Sequence, residues 1–67
     1  MPGIRTDDIV FIRALAKEDL NMSRAAKSIS YSYNAVAWRR KRIKESTGLD
    51  PCNFYDMIKL LKMIEGR

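Results

Sequence analysis

Histidine is absent from the chain, and there is one cysteine, Cys52. A Cys/His zinc site is therefore excluded, and an internal disulfide cannot form. Without histidine there is no Ser/His or Cys/His pair for nucleophilic catalysis, and the three glycines build no phosphate-cradling loop. Cys52 follows Pro51 in a turn with no base beside it and reads as a spectator. The carboxylates are scattered toward both ends with no paired spacing. The chain is thus expected not to be an enzyme, to need no cofactor, and to carry no small-molecule site. Apolar runs stop after a few residues, far short of the roughly 18 that a membrane span needs, and nothing resembles a signal peptide. No membrane contact is expected, and the cytoplasm is the default location.

The most informative absence is acid in the middle of the chain. Residues 21–44 contain no aspartate or glutamate but carry Arg24, Lys27, Arg39, Arg40, Lys41, Arg42 and Lys44. Each flanking segment, 1–20 and 45–67, holds three basic and four acidic residues. The net charge of +5 is therefore concentrated on one central stretch, and a polyanion is the natural partner for it. A basic run can also be only a solvated face, although acids are then usually interspersed. The 67 residues suffice for a single domain, 1–67. So short a chain buries a limited core and often gains stability by oligomerising. The 46% apolar content is evenly spread and argues against disorder.

What is present reads as four helices and no sheet. Met1, Pro2 and Gly3 show no periodicity and are expected to be loose. Thr6 ahead of Asp7 and Asp8 gives an N-cap and two first-turn acids, so a first helix is predicted from about Asp7 to Lys17. Its inward side is Ile9, Ile12 and Ala16, widened by Phe11 and Leu15. Asn21 is the expected N-cap of a second helix, Met22 to Ile29. There Ala25 and Ala26 make a thin face that another helix can cross closely. Ser32 is the expected N-cap of a third helix opening at Tyr33, with Gly48 marking its end. On it Val36 and Ile43 face inward. Arg40 interrupts that line, its stem expected over the core edge with the guanidinium reaching water or phosphate. Asn53 caps a last helix, about 54–65, with a predicted buried stripe of Phe54, Met57, Ile58, Leu61 and Ile64. The expected core as a whole is Ile9, Ile12, Leu15, Ala26, Ile29, Val36, Ile43, Leu49, Phe54, Ile58 and Leu61.

Two helices over a short polar turn, the second one basic, match what a helix-turn-helix needs to enter a DNA major groove. The chain resembles the C-terminal helix-turn-helix domain of the PucR family of bacterial transcription regulators over about residues 9–64. The residues carrying the likeness are Asn21-Met22-Ser23-Arg24-Ala25-Ala26, then Asn34 at the asparagine of that family's His-Arg-Asn-Thr signature. Arg39-Arg40-Lys41-Arg42-Ile43, Thr47-Gly48-Leu49-Asp50 and Asn53-Phe54-Tyr55-Asp56 complete it. Ser32 and Tyr33 replace the usual His-Arg, Tyr31 a valine, and Arg40 a leucine. The resemblance implies a four-helix all-α domain, motif at about 21–47, without the strands of a wing. It also implies either an excised domain or a small stand-alone regulator.

Resemblance and helical phase point to one DNA-binding surface: Ser23, Arg24, Lys27, Ser32, Tyr33, Asn34, Ala37, Trp38, Lys41 and Arg42. Arg24, Lys27 and Ser32 are expected to hold phosphates and set orientation. Asn34 is placed to pair with an adenine edge, or else to reinforce the helix start. Tyr33 suits a phosphate or sugar, or packing on the first helix. Trp38 lies roughly opposite Val36, so its phase disfavours the core. Arg39 and Lys44 are equally compatible with plain solvation. Surplus apolar surface on the last helix, at Leu60 and Met63, suggests a homodimer interface. The leading reading is sequence-specific binding of double-stranded DNA by a small regulator, with helix 33–46 in the major groove. The alternative is a helical protein-interaction or RNA-binding module using the basic helix.

Overall fold

The computed structural model describes residues 5–66, so Met1, Pro2 and Gly3 lie outside the described residues. It is a small all-α domain: α1 (Thr6–Lys17), α2 (Met22–Ser28), α3 (Tyr33–Thr47) and α4 (Phe54–Glu65). No strand occurs among the described residues; after α3 the chain makes a turn at residues 48–53 and enters α4. None of these helices is long and apolar enough to cross a membrane. α1 is the hub, since α2, α3 and α4 all pack on it and α2 also packs on α3.

Three of the four predicted caps form as the sequence requires. The Asn21 side chain accepts from the Arg24 N–H (2.9 Å), Ser32 Oγ from Ala35 N–H (3.1 Å), and Asn53 Oδ1 from Asp56 N–H (3.1 Å). Each satisfies a first-turn donor that would otherwise lack a partner. The first helix differs. Its N-cap is Arg5, in extended conformation, with Thr6 already helical and exposed. Asp8, at the third helical position, reaches back so that its Oδ2 lies 3.5 Å from the Arg5 N–H. The acid, not the hydroxyl, thus defines where the helix begins.

The helix ends follow a rule that the sequence hid. α1 and α2 both close through left-handed residues that are not glycine: Asp19 (φ 55°) followed by Leu20 (φ 64°), and Ser30 (φ 60°). Behind each, a backbone N–H bonds five residues back, Leu20 to Leu15 O (2.8 Å) and Tyr31 to Ala26 O (2.9 Å). These bonds are the signature of a Schellman closure, which usually uses glycine. Gly48 does end α3 in the left-handed region, as expected (φ 76°).

The core is built from Phe11, Ile12 and Leu15 of α1, the Ala25–Ala26 pair of α2, Val36 and Ile43 of α3, and Met57, Leu60 and Ile64 of α4. Ile9, Ile29, Leu49 and Leu61 are half-buried against it. The alanine pair is buried between α1 and α3, as a thin crossing face should be.

The face of α4 is the main correction. Leu60 is fully buried and Met63 packs against the core, so neither presents a dimer strip, while Phe54 and Ile58 are exposed. At 100° per residue the buried face is turned by roughly 60° from the predicted stripe. The loop sets this rotation. Asp56 Oδ2 accepts from the Asp50 N–H (3.0 Å), which ties the first turn of α4 to the preceding turn beside buried Pro51. Two overlapping apolar strips compete on this helix, and the tether brings Leu60 to α1.

Ser30 is exposed and in a conformation that costs an L-residue about 1 kcal/mol. Ser30→Gly is expected to stabilise the fold by about 0.5–1 kcal/mol, the gain being trimmed by glycine's greater unfolded-state entropy. Urea denaturation at neutral pH checks it; a loss of stability would mean that the Ser30 side chain contributes to the turn.

Candidate nucleic-acid interface

α2 and α3 are joined by residues 29–32, with the Ser30 closure reversing the chain and Ser32 starting α3. Val36 and Ile43 point into the core, which sends the opposite side of α3 outward. Along that side run Asn34, Trp38, Lys41 and Glu45, all exposed and spaced by three or four residues. Tyr33 is exposed at the helix start and Ala37 half-buried beside this row. On α2, Ser23, Arg24 and Lys27 are exposed. Nine of the ten predicted DNA-binding residues therefore lie wholly or partly at the surface with no carboxylate on them, or, for Arg24, a carboxylate partner but an open side chain.

Arg42 is the exception, and its position corrects the expectation of a free donor. Its Nη2 hydrogen-bonds Asp8 Oδ1, and its guanidinium lies 4.4 Å from the centroid of the Trp38 ring. Arg39 is likewise drawn inward. Its Nη1 donates to Asp7 Oδ2 (2.6 Å), sits 3.7 Å from Asp8, and its guanidinium covers Tyr31 at 4.9 Å. The same bond, from Arg39, holds the Asp7 carboxyl below the usual carboxylate range. The Nε of each arginine is enclosed without an acceptor, a desolvation cost set against these pairs. Trp38 itself remains 56% exposed, one face covered by Arg42.

Arg40 keeps contact with water, but its guanidinium is held by a carboxylate instead of being left free for a phosphate. Its Nε and Nη2 grip both oxygens of Asp50 (3.0 and 2.9 Å) in a planar two-bond pair. Arg24 pairs with Glu18 at 3.2 Å while staying 63% exposed. The acid-free stretch thus finds its acids in space. Of its seven cations, four arginines meet carboxylates from elsewhere in the chain, and Lys27, Lys41 and Lys44 form no ion pair among the described residues. Sequence reasoning placed the charge correctly along the chain but could not see this cancellation. The signals were the acids at residues 7–8, far in sequence from Arg39 and Arg42, and the nearer Glu18 and Asp50, six and ten residues from Arg24 and Arg40.

Cys52, half-buried in the turn, has its thiol pKa pushed up by burial, so it stays protonated at neutral pH. No family model, curated protein or solved structure matches this chain.

The Arg40–Asp50 pair generates a pH dependence. The Arg40 hydrogen bonds hold the Asp50 pKa down at about 2, against an ordinary 3.8. A depressed folded-state pKa stabilises above the unfolded value, and that stability is lost as pH falls from about 4 toward 2. With Arg40 42% exposed, screening limits the contribution to about 1–2 kcal/mol. Arg40→Ala should lose that amount at pH 7 and show a shallower decline between pH 4 and 2. Urea midpoints measured across this range decide it; parallel acid limbs for the two proteins would remove the pair from the account.

Proposed function

We propose that this chain binds double-stranded DNA sequence-specifically as a small transcriptional regulator, with α3 in the major groove and α2 against the backbone. The observation that carries the reading is the pairing of α2 and α3 across a four-residue turn. α3 has its apolar residues turned in and Asn34, Trp38 and Lys41 in one exposed row. A helix presented in this way can reach base edges with its N-terminal residues. Asn34 supplies the amide that pairs with adenine, and Lys41 follows two turns on. Lys27 and Lys44, both exposed and without ion-pair partners among the described residues, flank this row as phosphate contacts. The sequence resemblance over about residues 9–64 to the PucR-type helix-turn-helix supports the same reading. A homodimer would complete it, since two such helices about 34 Å apart meet successive major grooves.

The second reading, an RNA-binding or protein-interaction module, is favoured by one observation. Trp38 offers an open ring beside basic residues while the arginine charge is largely cancelled. Stacking on unpaired bases uses such a ring, whereas duplex binding leans on net positive charge.

Gel shifts with random duplex, single-stranded RNA and selected duplex sites, at two salt concentrations, separate the readings. Lys27→Ala and Arg24→Ala are expected to weaken binding to every duplex about equally and to lower the log–log salt slope by about one each. Asn34→Ala should relax discrimination at one base pair, at about 1–3 kcal/mol. A uniform loss across all bases and positions for Asn34→Ala would sink the base-reading role. Tighter binding to single-stranded RNA than to any duplex would move the function to the second reading.

A further inference from the structure

Tryptophan is for the most part buried in folded proteins. Trp38, the only one in this chain, is instead 56% exposed on the outward row of α3. The ring is backed from the protein side. The Arg42 guanidinium lies 4.4 Å from its centroid, and Arg42 is itself bound by the buried carboxylate of Asp8. An anchored planar cation thus supports one face of the ring, and more than half of the residue stays open to a partner.

The charges around the ring cancel. Trp38 lines a shallow notch of about 210 Å³ together with Lys41, Arg42 and Glu45. Lys41 and Arg42 bring two positive charges, and Glu45 with the Asp8 carboxylate on Arg42 brings two negative ones. A phosphate gains little from such a site, and the Glu45 carboxylate opposes it directly. What the notch offers is the apolar surface of the indole. In a DNA duplex, the apolar group that base edges show to a recognition helix is the C5-methyl of thymine, in the major groove.

Position along α3 narrows the target. Trp38 is four residues beyond Asn34, which is about 6 Å along a helix. Stacked bases are about 3.4 Å apart, so with α3 lying along the groove the ring falls about two base pairs from the pair that Asn34 meets.

We propose that Trp38 is a specificity-determining residue that reads the C5-methyl group of a thymine, about two base pairs from the adenine paired with Asn34. This role rests on the reading of α3 as a major-groove helix and adds a second base preference to it. The contact is apolar only, so it does not depend on the group at C4 of the pyrimidine. A 5-methylcytosine in the same place satisfies it equally.

The test uses the tightest duplex selected from a random pool, with each thymine replaced in turn by deoxyuridine. That base lacks the methyl and keeps every hydrogen-bonding group. One replacement is expected to weaken binding about fourfold, the worth of one buried methyl. At that position, 5-methylcytosine should bind better than cytosine by the same factor. In Trp38→Ala both differences should vanish, while discrimination at the Asn34 pair persists. Should Trp38→Ala fail to fold, the fluorescence of the single tryptophan decides: the thymine duplex should shield it from acrylamide more than the deoxyuridine duplex does. Equal shielding overturns the proposal, as does a methyl effect that a folded Trp38→Ala retains. A selected duplex that loses nothing to deoxyuridine at any position overturns the proposal and leaves the DNA reading standing. Failure to select any duplex removes the DNA reading, and the role of Trp38 with it.

Discussion

The carboxylate of Asp8 has no access to solvent, and the relation between α1 and α3 depends on it. One oxygen is bound by Arg42 and approached by Arg39; the other turns back toward the start of its own helix. A single side chain thus begins α1, locks α3 against it and indirectly orients Trp38, on which Arg42 lies. Removing one partner of a buried ion pair typically costs about 3–5 kcal/mol, because the other is left uncompensated. In a domain whose total stability is of the order of 5–15 kcal/mol, that is a large share. The pair does not explain stability by itself, since a well-packed apolar substitute often serves as well. What the structure shows is that Asp8 joins the start of α1 to two arginines of α3 at one relative setting of the helices.

That setting reshapes the electrostatics of the proposed interface. Arginines that would dominate a basic patch are spent on internal pairs, and lysines remain outward. A lysine is a flexible point charge suited to phosphates, whereas an arginine reads planar groups in two-bond geometry. With its arginines turned inward, α3 keeps Asn34 as its main planar donor–acceptor at an exposed position near the N-terminus. Specificity, on this reading, is concentrated in few residues, and the weak charge excess makes a second copy valuable.

The four helices were legible because each opens on a residue whose side chain can accept a first-turn N–H, or, in α1, on acids that favour the positive end of the helix dipole. Asn21, Ser32 and Asn53 cap locally, within three residues, so no tertiary information is needed. Val36 and Ile43 were assigned correctly because α3 is polar enough to leave one apolar line. The outward row of Asn34, Trp38 and Lys41 followed from the same phase. α4 was misjudged because it is apolar over so much of its circumference that periodicity alone allows two faces.

The sequence by itself therefore determined the number of helices, three of their four N-caps and the class of fold, all of which rest on interactions within a few residues. Only the tertiary structure decided which side of α4 is buried, because the Asp56–Asp50 tether and the contact with α1 choose between two strips of similar hydrophobicity. Only the tertiary structure showed that Arg39, Arg40 and Arg42 are partnered, because their carboxylates lie 32, 10 and 34 residues away along the chain. Charge is additive along a sequence but cancels in space, and the cancellation is set by packing that no local pattern encodes.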